Sequence, residues 1–469
     1  MGISVIGYIR LKTYLSPLLR LFARRNKPWL ASRAMLLVTR SLPAENIGGT
    51  SGPKRNRVLV LNANKDGVLE DLQAIFGSLG YELITWPSYA LDAIADELLA
   101  PGLSHNCYVS IDPKVEASKI RYRYFLSSMW NYYKRIFPVD LVISANFGYY
   151  KQRELATALE DRGTPYIVLQ KENFNGITPQ RAAFWRAVYA EGRGQFTGRK
   201  ILVYNEIERD LQISSGIVEA AKVVVTGMPR FDRIHRWRMA NAGRRAVQAR
   251  PRVLFFGFGR SDKIPTLINK QKRALSPSGA SAILNNVQCQ WSNVSWERLC
   301  AGTYEAIVKF SRSRPDVEVV VKTKSRAAQI DDTLEFLHTV GQPPDNLRVQ
   351  IGGDPFELLI VSSVVVGFNT TGLIEAVAAG KPVIVPHFAE ALDPLTQEVI
   401  IDLGDAVDYA HSPEHLVDLV TRHIDGGVGQ VPLKLPPSRR EMLRRLVGND
   451  DGAASERVRQ AVRHELEAK

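Results

Sequence analysis

The stretch VVVGFNTTGLIEAVAAGKPVIVPHF, residues 364–388, contains the pattern that decides the fold. An apolar run is followed by the polar turn NTTG at 369–372, by a helical pattern and, after GKP at 380–382, by a second apolar run. Short runs rich in β-branched residues, without alternating polar positions, are typical of strands that are buried on both faces of a parallel sheet. The stretch therefore predicts a strand, a turn, a helix and a second strand in succession.

The same alternation of apolar runs and helical patterns continues through most of the chain. The runs that we interpret as strands lie at 58–61, 83–86, 141–144, 166–169, 201–204, 223–226, 252–256, 317–322, 347–351, 364–366 and 382–385. Strands that alternate with helices build parallel sheets with helices on both faces. The polar and basic stretch at 235–250 divides the runs into two sets, so we predict an α/β fold with two Rossmann-like domains that face each other across a cleft.

The composition is that of an ordinary folded protein. Of the 469 residues, 45% are hydrophobic and 23% are charged, which excludes intrinsic disorder and collagen-like repetition. The three cysteines form no C-x-x-C pair, so the sequence predicts neither a zinc knuckle nor a disulfide framework and favours a reducing compartment. Because no apolar run approaches the roughly 20 residues of a membrane-spanning helix, we predict a chain that does not span a bilayer.

The net charge of +13 is concentrated in an N-terminal arm. Residues 1–50 contain eight basic residues and one acid, so the rest of the chain is only mildly basic. Within the arm, Leu11, Leu15, Leu18 and Phe22 fall at helical spacing and predict one apolar stripe. An apolar stripe flanked by lysine and arginine is typical of a helix that lies on an anionic membrane surface.

We therefore predict that residues 1–42 bind an anionic membrane surface, and that the protein is cytoplasmic and peripheral on the inner membrane face. Two alternatives remain open. The arm packs as an amphipathic helix on the body or on a partner, or it binds nucleic acid, which we favour least and leave out of the predicted partners. Residues 43–54, PAENIGGTSGPK, predict a flexible linker between the arm and the body.

The turn at 369–372 has the composition of an anion site. The residues there are Asn369, Thr370, Thr371 and Gly372, and they stand at the predicted start of a helix, whose backbone amides suit the oxygens of a diphosphate. Glu375 lies one helical turn inside, on the face of Thr371, where a carboxylate can accept a hydrogen bond from a ribose hydroxyl. The alternative is that Thr370 only caps the helix and that Glu375 is solvated.

Other nucleotide signatures are absent from the sequence. The first predicted strand is followed by NANKDG at 62–67, which is not the G-x-G-x-x-G of dinucleotide-binding proteins, and no Walker A pattern is present. Histidine, cysteine and acidic residues form no cluster with metal-ligand spacing. We therefore expect neither a cofactor nor an obligatory metal.

Two segments resemble known families of carbohydrate enzymes. The stretch 364–388 is similar to the donor-nucleotide motif of GT-B glycosyltransferases and of the related non-hydrolysing UDP-GlcNAc 2-epimerases. The segment VTGMPRFD at 225–232 resembles a TG-x-P-R-x-D segment of bacterial surface-carbohydrate enzymes, which include CDP-glycerol glycerophosphotransferases and capsule or lipopolysaccharide transferases. With VVVKTK at 319–324 and DGAASER at 451–457, the likeness extends over roughly residues 57–465.

This resemblance implies the domain organisation. We expect the arm and linker at 1–50, an acceptor domain at 51–240, a donor-nucleotide domain at 241–430, and C-terminal helices at 431–469 that cross back onto the first domain. The D-x-D pair of metal-dependent transferases of the other major fold is absent from the chain, in keeping with a metal-independent enzyme.

The resemblance also implies roles for three basic residues. Lys322 and Lys324 follow a predicted strand at spacing two, where related transferases carry a cation at the donor phosphates, although here Lys324 replaces the histidine of a K-x-H pattern. An ammonium group there can neutralise the charge that develops on a leaving nucleotide; the alternative is a solvated strand end. Arg230 is expected to bind a donor carboxylate or phosphate, and the alternative is an Arg230–Asp232 pair that braces the hinge.

An inverting glycosyl transfer needs a base within hydrogen-bond reach of the acceptor hydroxyl. Glu172 is our first candidate, because it follows the predicted strand at 166–169; Asp66 is the second and Asp112 the third. Each of these carboxylates has the alternative of a turn or cap residue. The polar stretch at 260–295, with Trp291 and Trp296 near its end, suggests a binding loop whose tryptophan faces suit a sugar ring; the alternative is that Trp296 anchors the following helix. His387 follows a predicted strand, a place from which it can reach the cleft, and the alternative is a structural histidine.

Taken with the resemblance, the sequence predicts a glycosyltransferase that moves a sugar from a nucleotide-sugar donor to a surface polysaccharide or a lipid-linked acceptor. Three alternatives stay open: a CDP-polyol glycerophosphotransferase, a UDP-sugar 2-epimerase, and an assembly scaffold without turnover. The nucleotide sugar is a substrate in this hypothesis, so no separate cofactor is expected.

Overall fold

The computed structural model describes residues 5–42, 56–63, 68–76, 80–105, 108–171, 173–244, 250–262, 264, 294–324, 327–427 and 429–468. Within these ranges the chain forms two α/β units, each built on its own sheet. The prediction of two parallel sheets is confirmed: every described strand pair is parallel except one at the edge of the first sheet.

The first sheet contains β1 (Arg40–Ser41), β2 (Asn56–Val60), β3 (Tyr81–Thr85), β4 (Leu141–Ser144), β5 (Tyr166–Leu169), β6 (Lys200–Val203) and β7 (Val223–Val225). The second contains β8 (Arg252–Phe256), β9 (Glu318–Thr323), β10 (Leu347–Ile351), β11 (Val364–Gly367), β12 (Val383–Pro386) and β13 (Asp408–Ala410). The strand order is β1-β3-β2-β4-β5-β6-β7 in the first sheet and β10-β9-β8-β11-β12-β13 in the second.

This order creates a switch point in each sheet. In the second sheet, the chain leaves β8 toward β9 on one side and returns to β11 on the other. Open parallel sheets bind ligands in the crevice beyond the carboxyl ends of the strands at such a point. The first sheet has its switch point between β2 and β4.

The helices before the second sheet are α1 (Val5–Arg24), α2 (Pro28–Val38), α3 (Val68–Phe76), α4 (Ser88–Leu98), α5 (Pro113–Ile136), α6 (Tyr150–Glu160), α7 (Pro179–Ala187), α8 (Glu206–Ser214) and α9 (Phe231–Ala240). Those that follow are α10 (Glu297–Ser313), α11 (Ala327–Thr339), α12 (Pro355–Ile360), α13 (Thr371–Ala378), α14 (Pro394–Gln397), α15 (Pro413–Asp425), α16 (Pro437–Val447) and α17 (Ala454–Glu467). No helix within the described residues is long and apolar enough to cross a membrane.

The strand of the deciding stretch lies at the centre of the second sheet, between β8 and β12. Val364, Val365 and Val366 are completely buried, which explains why that run has no polar alternation. Two described strands, β1 and β13, were not predicted. Each is short, and β13 begins with the exposed Asp408, so neither presents an apolar run.

The arm packs on the body rather than standing apart from it. α1 lies against α4 and α2 lies against α5. Leu15, Leu19 and Ala23 are the buried residues of α1, and Arg20 and Arg24 pair with acidic residues of α4. The predicted stripe is wrong in its details, because Leu18 is exposed and Leu19 takes its place at the core. The predicted linker at 43–54 lies outside the described residues.

The C-terminal helices cross to the first sheet through a close backbone junction. α17 packs on α3, and Val458 and Val462 share a cluster with Leu72. At the junction, Gly448 has a left-handed φ of 60°, and a Cβ on it would clash with the carbonyl oxygen of Tyr204. α16 begins at Pro437 without a side-chain cap.

The segment 225–232 forms the other side of this junction. The Met228 amide donates to the Val447 carbonyl at 2.9 Å, and Arg457 Nε donates to the Thr226 carbonyl at 2.8 Å. The carboxylate of Asp232 accepts from the backbone amide of Ser455 at 2.8 Å. Two of the segments that carried the family resemblance, 225–232 and 451–457, are therefore in contact with each other.

We expect Gly448→Ala to lower the free energy of unfolding by about 3 kcal/mol, because strain from the left-handed φ adds to a steric clash with backbone. Gly163→Ala is the matched control, since Gly163 has a φ of 66° and a Cβ there would meet nothing within 4 Å. Urea unfolding followed by tryptophan fluorescence measures both variants. Equal losses of stability would contradict a close approach at Gly448.

Candidate functional site

A cleft opens beyond the carboxyl ends of β8, β9 and β11, at the switch point of the second sheet. Its volume is about 150 Å³. The predicted donor-site residues that line it are Lys322, Lys324, Asn369, Thr370, Thr371, Gly372 and Glu375. The topology thus brings residues 322–324 and 369–375 together, although α11, β10 and α12 separate them in the sequence. We take this cleft as the candidate site.

The turn between β11 and α13 is held in place by its own side chains. Asn369 adopts a left-handed φ of 49°. Its side-chain Nδ2 donates to the Val399 carbonyl at 2.9 Å, and its Oδ1 accepts from the Ile401 backbone amide at 3.1 Å. The Thr370 hydroxyl accepts from the Gly372 amide at 3.4 Å and caps α13. Asn369 and Thr370 therefore position the turn, and the cap that we gave as the alternative for Thr370 is formed.

Gly372 lies against an aromatic ring that forms the floor of the cleft. A Cβ at this position would come within 2.7 Å of the Phe256 ring. Phe256 is the last residue of β8, so the glycine allows the start of α13 to approach the switch point closely. Backbone amides at a helix start are donors that suit an anion.

Glu375 is the most unusual residue of the cleft. Its exposed fraction is only 7%, and its Oε2 has no hydrogen-bond partner among the described residues. Burial raises the pKa of the Glu375 carboxyl, and the nearby Arg230 and Arg233 oppose this shift. A solvated Glu375, which was our alternative, is excluded by this burial. A buried acceptor without a partner is costly unless a ligand or an ordered water supplies the donor.

Arg230 connects the two units at this cleft. Its Nε lies 3.9 Å from Glu375 Oε1, and its Nη1 lies 3.6 Å from Asp71 Oδ2. Asp71, on α3, also accepts from the Arg230 amide at 3.1 Å and from the Tyr204 hydroxyl at 3.1 Å. Burial raises the pKa of the Asp71 carboxyl, and Arg230 opposes that shift. Arg230 is therefore bound between carboxylates of both units.

Asp232 has a different role from the one we gave as an alternative. Its carboxylate accepts from Asn449 Nδ2 at 2.7 Å and from the Ala454 amide at 3.1 Å, at the start of α17. It therefore holds the C-terminal crossing, while Arg230 faces Asp71 and Glu375. The hinge is braced by two separate sets of contacts.

Lys322 is buried at the other side of the cleft. Its Nζ donates to the Thr323 carbonyl at 2.7 Å, and burial lowers the pKa of its ammonium against the opposing effect of Asp354. Lys324 follows β9 and is half-buried, with its amide bonded to Gln329 Oε1 at 3.1 Å. The cleft therefore combines a carboxylate, hydroxyl groups and two lysines.

The structure leaves the proposed bases untested. Glu172 and Asp66 both lie outside the described residues, as do Trp291 and most of the stretch 260–295. Asp112 caps α5, since it accepts from the Lys114 amide at 2.8 Å. Trp296 is fully buried and anchors the start of α10.

His387 lies outside the lining of the cleft, beside the rings of Tyr409 and His411. Burial lowers its pKa. Among the residues that the structure describes, no group of three or more histidine, cysteine or acidic side chains is arranged to hold a metal ion.

Asp71 is the site residue that we did not predict. The only signal in the sequence is a carboxylate on the face of α3 that also carries Leu72 and Ile75, both of which are buried. A charged residue on an apolar helix face indicates a buried partner, but the partner, Arg230, is separated from it by more than 150 residues.

Comparisons with known proteins give no family. No family model matches the chain, and no curated protein matches it. Solved structures do match, among them the UDP-GlcNAc 2-epimerase of Methanocaldococcus jannaschii, with 11% identity, a TM-score of 0.46 and coverage of 88% of this chain and 100% of that one.

Two other matches have similar values. The UDP-GlcNAc 2-epimerase of Neisseria meningitidis, bound to UDP-GlcNAc, has 11% identity and a TM-score of 0.41, and covers 88% of this chain and 100% of its own. MurG of Acinetobacter baumannii has 12% identity and a TM-score of 0.40, with the same coverages of 88% and 100%. Likenesses at this level say nothing about the activity of this chain.

Proposed function

We propose that this protein is a glycosyltransferase that binds a nucleotide-sugar donor in the cleft of the second unit. The observation that carries the proposal is the buried Glu375 carboxylate, whose Oε2 has no partner among the described residues. Glu375 lines the same cleft as Thr370 and Thr371 of the turn. A ribose supplies hydroxyl donors for such an acceptor. The proposal also rests on the resemblance of residues 364–388 to the donor motif of GT-B enzymes.

The phosphates of the donor fit the other half of the cleft. The start of α13 offers backbone amides, and the ammonium of Lys322 lies across the switch point on β9. A cation at the leaving diphosphate stabilises the charge that develops there when the glycosidic bond breaks. In this proposal the enzyme is metal-independent and uses no separate cofactor.

We propose that the acceptor binds to the first unit, and that it is a surface polysaccharide or its lipid-linked precursor. Glu172 is the proposed base for the acceptor hydroxyl, with Asp66 as the second choice. The charge of the arm supports a place at a membrane: residues 1–42 contain eight basic residues and no acid. A peripheral position on the cytoplasmic face of the inner membrane follows from that charge.

The likeness to glycerophosphotransferases loses force as an argument for a CDP donor. It rested on 225–232, and within that segment Thr226, Met228 and Asp232 bond to the C-terminal helices. These contacts explain the segment by its place in the junction, whatever the donor is. Turnover of the donor distinguishes the other two alternatives, because an epimerase converts the donor without an acceptor and a scaffold does not convert it at all.

The function is tested by a donor screen followed by a transfer assay. We expect one class among CMP-, CDP-, GDP- and UDP-linked sugars to raise the melting temperature, and the radiolabelled sugar of that donor to enter an acceptor in a cell-envelope fraction. Glu172→Gln should leave donor binding intact and lower turnover by about 10²–10⁴-fold, because the proton acceptor is removed.

Each alternative gives a distinct result in this assay. Conversion of the donor without added acceptor would identify an epimerase, and transfer of a polyol phosphate would identify a glycerophosphotransferase. Donor binding without any turnover would identify a scaffold. Full activity of the Glu172→Gln variant would remove Glu172 from the mechanism and direct the search to Asp66.

We expect Glu375→Gln to weaken binding of the matching nucleoside diphosphate by about 10- to 100-fold, since a hydrogen bond to a charged acceptor contributes about 1.5–3 kcal/mol. The substitution keeps the shape of the side chain. Glu357→Gln, on the exposed surface of α12, is the control. Calorimetric titration measures both variants, and equal affinities would argue against a ribose contact.

We expect Lys322→Ala to lower kcat by about 10²–10³-fold while changing donor affinity less, because the ammonium acts mainly on the leaving phosphate. Lys309→Ala, at an exposed position of α10, is the control. Steady-state kinetics and direct binding separate the two effects. A loss of affinity alone would make Lys322 a docking residue.

A further inference from the structure

Exposed apolar side chains are concentrated on one layer of the first unit. Of the sixteen large hydrophobic side chains that are exposed within the described residues, ten lie before residue 137. On α1 and α2 these include Tyr14, Leu18, Trp29 and Leu37, the last being 80% exposed. Exposed apolar groups in such a cluster indicate an interaction surface.

The helix α5 contributes to this cluster although it lies outside the arm. Ile120 and Tyr124 are exposed one helical turn apart, and Tyr124 is 71% exposed. Arg121 lies between them in the sequence and is also exposed. The opposite side of α5 is buried, with Tyr122 and Met129 in the core. The exposure of the apolar pair is therefore not the result of a loosely packed helix.

A groove joins α5 to the turn between α1 and α2. It has a volume of about 390 Å³, and its lining includes Arg24, Asn26, Arg121 and Tyr124. Arg24 is bonded to Glu97 at 2.8 Å, and Arg121 donates to the Leu98 carbonyl at 2.8 Å. The end of the first arm helix and the exposed side of α5 therefore border the same groove.

The charge of this surface identifies the kind of partner. The helix α5 contains six basic residues and one acid, and residues 1–42 contain eight basic residues and no acid. Arg20, Arg24 and Arg123 form ion pairs with Asp96, Glu97 and Glu154 of neighbouring helices, and the remaining basic residues still outnumber the acid of these two segments. Two such basic faces repel each other, which disfavours a second copy of the chain as the occupant. Interleaved apolar and basic side chains match an anionic lipid surface, where each cation adds to binding.

We infer that α1, α2 and α5 together form one docking surface for an anionic lipid bilayer. Arg121 contacts a headgroup phosphate at the groove, while Tyr14, Leu18 and Tyr124 enter the boundary with the acyl chains; Arg24 is held by the Glu97 carboxylate. The inference rests on the membrane part of the proposed function and adds α5 to it. The body of the protein, and not the arm alone, thus meets the membrane.

The test leaves the arm unchanged and alters α5. The variant carries Ile120→Ser, Arg121→Glu and Tyr124→Ser, and the control carries Leu395→Ser and Leu433→Ser, at exposed positions of the second half of the chain. Cosedimentation uses vesicles of 30% phosphatidylglycerol in phosphatidylcholine, and vesicles of phosphatidylcholine alone. We expect the α5 variant to lose at least tenfold in partitioning to anionic vesicles, and the control to equal the parent.

A further variant, Tyr14→Ser with Leu18→Ser, tests the arm by itself. If it loses binding while the α5 variant equals the parent, the inference about α5 is overturned and membrane binding by the arm stands. If the parent itself ignores anionic vesicles, the membrane part of the proposed function fails as well. A parent that dimerises in sedimentation velocity, with an α5 variant that does not, would assign the surface to a second copy and overturn the lipid partner.

The fold and the donor site are checked in the same samples. Circular dichroism and the melting temperature show whether the α5 variant is folded, and binding of the nucleoside diphosphate reports on the cleft. Intact donor binding together with lost vesicle binding is the expected combination. Loss of donor binding in the α5 variant would mean that the substitutions disturb the first unit, and the single substitution Arg121→Gln, which removes one cation, would then decide, with an expected loss of about fivefold.

Discussion

Arg230 lies at the cleft between two buried carboxylates, one from each unit. Asp71 belongs to α3 of the first unit and Glu375 to α13 of the second, and burial raises the pKa of each. A guanidinium between them compensates charges that would otherwise be strongly unfavourable in a desolvated place. Because Arg230 faces Glu375 Oε1, the other oxygen of that carboxylate remains for the cleft.

The strands could be predicted because burial on both faces removes polar alternation, as Val364, Val365 and Val366 show. The short β13 could not, because only one of its three residues is buried. The arm shows a second reason why prediction from the sequence was incomplete. Helical periodicity finds apolar faces, but α1 has two of them, and the choice of Leu19 for the core depends on its packing against α4.

The residues of the site also divide into those that could be predicted from the sequence and those that could not. The positions of the turn and of the two lysines were predicted from local patterns, because a strand end, a helix start and a spacing of two residues are properties of short segments. The role of the lysines at the donor phosphates came from the family resemblance and stays a prediction. Asp71 was missed because its partner comes from a distant part of the chain. Asp232 was given the wrong partner for the same reason, since only the return of the C-terminal helices brings the amide of Ser455 to it.

The polar groups of the cleft can be sorted by whether the protein itself satisfies them. Asn369 has its donor and its acceptor engaged with the backbone of the 399–401 segment, and Thr370 caps its helix, so both hold the turn in shape. Lys322 has three N–H donors, and the described contacts include one bond, to the Thr323 carbonyl. Glu375 has an oxygen with no partner among the described residues. Glu375 and Lys322 thus keep bonding capacity that the described contacts do not use, which is why the proposed function assigns recognition of the donor to these two residues and a positioning role to Asn369 and Thr370.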